Sequence, residues 1–110
     1  VQSKAAGALA NIASGGAAMQ DAVLSAGAVP LLVALATEGS AETQSNAATA
    51  MRNLAEGHAA GARALADAGA AAALVAIVTT SKGKPSAKAA TALKQLALDR
   101  GAGHAAVAAA

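Results

Sequence analysis

The sequence contains no cysteine, phenylalanine, tyrosine or tryptophan, and only two prolines, in 110 residues. Each absence narrows the chemistry. Without cysteine there are no disulfides and no thiolate metal sites. Without aromatic rings, nucleobases have nothing to stack on, and the net charge of +2 comes from Lys and Arg spread along the chain rather than gathered in a patch. Nucleic acid is therefore not an expected partner. No apolar run reaches the roughly 18 residues of a membrane span without an intervening Gly, Ser, Thr or charge, so no membrane is expected either. The start at Val1 shows neither the basic nor the apolar region of a signal peptide.

Catalytic signatures are missing as well. The chain has no G-x-S-x-G, Walker or H-E-x-x-H motif, and His58 and His104 have no His, Cys or paired carboxylate at ligand spacing. The expectation is a protein without enzymatic activity, metal or cofactor.

What the sequence does contain is alanine. The apolar fraction is 55%, and most of it is alanine. Each such side chain removes little area from water, at roughly 25 cal/mol per Å², so stability has to come from many close contacts. Alanine is also the best helix former, and the β-branched residues are scattered, so helices are expected throughout.

One ten-residue phrase occurs three times, as KAAGALANIA from Lys4, NAATAMRNLA from Asn46 and KAATALKQLA from Lys88. Sliding the chain by 42 positions aligns residues 1–42 with 43–84 without a gap and gives 18 identities. Gln, Ser, Asn, Gly, Leu, Val and Thr all contribute, so alanine content alone does not explain the match. A period in the forties indicates a helical solenoid.

Punctuation divides one period into three helices. The longest is predicted from about Ala41 to Glu56, with Ser40 as N-cap, Glu42 in the first turn and Gly57 ending it. Its Ala47, Ala50, Met51 and Leu54 follow the i, i+3, i+4, i+7 rule of a buried stripe. Two shorter helices are expected over about Ala59 to Ala68 and Ala71 to Thr80. They are separated by Gly69, which can adopt the left-handed conformation. Pro85 then reopens a helix, and Gly103 to Ala110 align with Gly61 to Ala68 as the start of a further copy.

Three helices per 42 residues, with the phrase GAVPLLVALATEGSAETQSNAATAMRNLA from Gly27 to Ala55, resemble the armadillo-repeat family. HEAT repeats are the alternative by length, whereas TPR repeats fail on period. The resemblance implies an all-α, right-handed superhelical solenoid of a little over two and a half repeats. Divisions are expected at residues 1–27, 28–69 and 70–110. It also implies a scaffold in which the long helices line a groove and an asparagine on each holds the main chain of an extended peptide. Those positions are Asn11, Asn53 and, in the third copy, Gln95. An amide suits the role because it offers both a donor and an acceptor.

Helical spacing supports this face. Asn46, Thr49, Asn53 and Glu56 lie together, as do Lys4, Gly7, Asn11 and Ser14, and Lys88, Thr91, Gln95 and Leu98. Three such columns would span about six to eight residues of an extended peptide. Import adaptors of the family place tryptophan four residues before the asparagine, but Gly7, Thr49 and Thr91 stand there. Slots for lysine stems are thus absent, and Lys4, Arg52, Lys88 and Lys94 lean towards an acidic partner. Asn53→Ala is expected to weaken a groove ligand while changing thermal stability little.

The ends suggest a second possibility. No polar capping repeat is visible, and Leu9 and Ile12 at one end and Leu93, Leu96 and Val107 at the other would lack a covering helix. These faces could stack on other copies and make a homo-oligomer.

Overall fold

The computed structural model describes residues 2–56 and 58–109, with side chains described for residue 4 and residues 6–56 and 58–97. Within these residues the chain is helical. In order, the elements are α1 (Gln2–Ala13), α2 (Ala17–Ser25), α3 (Ala28–Glu38), α4 (Ala41–Ala55), α5 (Ala59–Asp67), α6 (Ala70–Thr80) and α7 (Lys84–Ala109). The body measures 44 × 30 × 18 Å.

The breaks recur because the same residues recur. Gly27 and Gly69 stand 42 positions apart, and both take left-handed backbone, with φ of 74° and 83°. A side chain there would be strained, so glycine closes α2 and α5 and turns the chain into α3 and α6. The axes bend by 82° in the first pair and 74° in the second. Ser40 caps α4 as its sequence predicts. Its hydroxyl accepts the Thr43 amide at 3.3 Å, while Glu42 occupies the first turn and Arg52 the last.

The long helices lie side by side, with α4 between α1 and α7. On the other side, α3 packs against α4, α6 packs against α7, and α3 meets α6. The short helices α2 and α5 join each long helix to the next pair. Leu32, Met51, Leu54, Leu65, Leu74 and Ile77 are fully buried, and the spaces between them are filled by alanine. The predicted stripe of Ala47, Ala50, Met51 and Leu54 is inaccessible to solvent. Small side chains at Ala6 and Ala10, Ala47 and Ala50, and Ala89 and Ala92 allow neighbouring backbones to approach closely, which substitutes for the missing aromatic bulk.

The third copy differs from its predicted punctuation. The helix from Lys84 continues without interruption to Ala109, past Gly103. Repeat register supplies the reason. In the 42-residue frame Gly15, Gly57 and Asp99 are equivalent; the stop expected at Gly57 lies outside the described residues, and the third copy has aspartate there. No glycine is there to release the chain. Among the described residues no single helix is long and apolar enough to cross a membrane.

Candidate functional site

The polar face of the long helices centres on Asn53, which is half-buried on α4. Its Nδ2 donates to the carbonyl oxygen of Ala10 on α1, at 2.9 Å. Its Oδ1 accepts from Nη1 of Arg52 at 3.1 Å. The other guanidinium nitrogen of Arg52, Nη2, lies 3.0 Å from Oε2 of Glu56, one helical turn on. Asn53 therefore fastens two long helices together, and its amide is engaged by this chain's own groups on both sides. A purely ligand-facing role, with stability untouched by its removal, does not fit this geometry.

The other anticipated residues are placed differently. Asn11 is exposed, and its amide makes no hydrogen bond to another described residue. Gln95 and Asn46 are half-buried and both make interactions of their own. Asn46 sits over Gly7 of α1, where an added Cβ would lie 3.6 Å from its Nδ2. Lys4, Lys88 and Lys94 are exposed. Arg52 and Asn53 are joined by a direct side-chain bond.

The anticipated end-stacking residues do not share one environment. Ile12 is 39% exposed, whereas Leu9 and Leu93 are partly buried against the core. Leu96 is a core residue, 4% exposed, and offers no stacking surface. The side chain of Val107 lies outside those described.

Two polar residues at this junction escaped the sequence reading. Gln20 on α2 is buried, and its Nε2 donates to the carbonyls of Asn53 and Glu56 at 2.8 and 2.9 Å. It thereby satisfies orphan acceptors at the end of α4. The repeat frame gave no hint, because Ala62 is the equivalent residue. His58 was considered only as a metal ligand, and it is the N-cap of α5. Its Nδ1 accepts the Gly61 amide at 3.0 Å, so the ring proton is assigned to Nε2, which donates to Asp21 Oδ1 at 2.7 Å. The imidazole thus caps one short helix and ties it to the previous one. The available signal was a side-chain acceptor three residues before a helical glycine.

Among the described residues no group of three His, Cys, Asp or Glu could hold a metal ion. The face carries amides at Asn11, Asn46, Asn53 and Gln95 and cations at Lys4, Arg52, Lys88 and Lys94.

The comparisons agree with this architecture. Residues 17–56 match the armadillo/beta-catenin-like repeat. No curated protein matches the sequence. Two solved structures, each described as an engineered protein, are similar to it. One shares 41% identity with a TM-score of 0.82 over 87% of this chain and 39% of its own. The other shares 39% identity with a TM-score of 0.79 over 84% of this chain and 23% of its own. The chain thus spans about two fifths of one and a quarter of the other. Residues 17–56 are thus an armadillo-type repeat, set in a 42-residue register that recurs along an all-helical solenoid.

Proposed function

We propose that this chain is a protein-interaction module that holds an extended peptide across the exposed faces of α1, α4 and α7. The observation that carries the reading is the register of its amides. Asn11, Asn53 and Gln95 recur every 42 residues on three neighbouring long helices. Adjacent packed helices lie about 8–10 Å apart, close to the rise of three extended residues. Asn11 contributes an exposed amide that bonds to no other described residue. Asn53 keeps a second Nδ2 hydrogen beyond the one given to Ala10. Lys4, Lys88 and Lys94 add positive charge to the exposed surface and favour an acidic ligand over a basic one.

Asn11→Ala is the cleanest test, because that amide fastens nothing else among the described residues. Fluorescence anisotropy with labelled acidic peptides of about eight residues should show weaker binding to Asn11→Ala at unchanged melting temperature. Affinity should also fall with added salt. Equal affinity for parent and variant would remove the amide-ladder reading.

A second reading is self-association. Ile12 and Met19 on α1 and α2 are large apolar side chains, 39% and 41% exposed. A mass by light scattering that stays near 10.2 kDa as concentration rises would exclude it.

A further inference from the structure

The three long helices do not carry charge equally. In the repeat frame, Lys4 of α1 and Lys88 of α7 correspond to neutral Asn46 of α4. Arg52 of α4 corresponds to Ala10 and Lys94. Four residues after these positions stand Ser14, Glu56 and Leu98, so only α4 carries an acid one turn beyond its cation. That acid is held in place. Glu56 is the C-cap of α4, its amide donates to the Arg52 carbonyl at 3.0 Å, and its own carbonyl accepts from buried Gln20. Its carboxylate meets Arg52 at 3.0 Å, while Arg52 also grips the Asn53 amide. Arg52 and Glu56 therefore cancel (+1 and −1) and Glu42 in the first turn leaves the middle column at −1, against +1 on α1 from Lys4 and +3 on α7 from Lys84, the equivalent of Glu42, with Lys88 and Lys94.

We infer that Glu56 is a specificity-determining residue. It occupies Arg52 as an internal ligand, so the site selects peptides whose acidic residues flank a neutral centre. This inference rests on the groove reading above. An acidic side chain over α4 must displace Glu56 from Arg52 and then remain beside it, whereas acids over α1 and α7 meet lysines with no such competitor at i+4. The energetic scale is small, because the Arg52 and Glu56 side chains are 39% and 56% exposed. Pairs of this kind are worth at most about 1 kcal/mol, or roughly fivefold in affinity.

The test uses two peptides of equal length and charge, one with glutamates at both ends and an alanine and serine centre, the other with the arrangement reversed. The parent should bind the end-acidic peptide more tightly. Glu56→Gln should tighten binding of the centre-acidic peptide about two- to fivefold and narrow the gap. Glu38→Gln removes the same charge from α3 and should leave the ratio as in the parent. If the parent binds both peptides and the ratio is the same in Glu56→Gln, the role of Glu56 is overturned while the groove stands. If neither peptide binds the parent, the groove reading fails and this inference with it.

Discussion

The first and second copies of the repeat share their helices but not their fastenings. Positions 11 and 53 are both asparagine, yet Asn11 is exposed and Asn53 is bonded to α1. Positions 16 and 58 both precede a short helix. Gly16 offers no side-chain cap, while His58 caps α5 and reaches Asp21. Positions 19 and 61 are Met and Gly, one exposed and one buried. Gln20 closes α4, and its equivalent Ala62 is core. The polar bonds of Asn53, Gln20 and His58 all cross from the second copy to the first. Gln44 adds another, donating to the Ala36 carbonyl at 3.1 Å. A repeat shares its backbone with its neighbours, but what a polar side chain does depends on which helix lies opposite.

The comparison breaks most severely at Gly61. A Cβ there would collide with the Leu54 carbonyl and crowd His58 Nδ1. Helix propensity alone would make Gly61→Ala stabilising by about 1 kcal/mol, but the clash with fixed backbone should win. The expected outcome is a loss of about 1–3 kcal/mol in urea unfolding. Met19→Ala, at the exposed equivalent, should change stability by less than about 0.5 kcal/mol. A neutral Gly61→Ala would show that α4 and α5 do not approach so closely.

The two asparagines sharpen the contrast. Asn53→Ala should cost about 1 kcal/mol, towards the low end for a buried bond, because the Ala10 carbonyl keeps its backbone partner Ser14. Asn11→Ala should change stability by less than about 0.5 kcal/mol. Thermal melts of both variants decide it, and equal losses would contradict the staple.

The smallest effect has the opposite sign. Ser45 is buried, and its hydroxyl has no hydrogen-bond partner among the described residues, while its third-copy equivalent is Ala87. Ser45→Ala removes an unpaired polar atom and favours the helix, so it should gain about 0.5–1 kcal/mol. A loss on denaturant titration would mean that the hydroxyl is satisfied after all.

Most of the fold was legible in the sequence because its causes are local. Glycine at 27 and 69, Ser40 before a first-turn acid and the Met51 and Leu54 stripe act within a few residues of themselves. The uninterrupted α7 has a sequence correlate too, in Asp99 standing where the first two copies have Gly15 and Gly57. The site was less so. Candidate residues could be placed on one helix face by spacing, yet spacing does not say which of them the chain already uses.

What the sequence determined alone is the helical class, the period and the points of turning, since propensity, capping and left-handed glycine act over a single turn. Tertiary structure decided that Asn53 is a staple, that Gln20 and His58 fasten the two copies and that Glu56 neutralises Arg52 beside Asn53. Except for the helical Arg52–Glu56 pair, these bonds join residues more than thirty positions apart. No local rule reports the distance between two such side chains until the helices carrying them have packed.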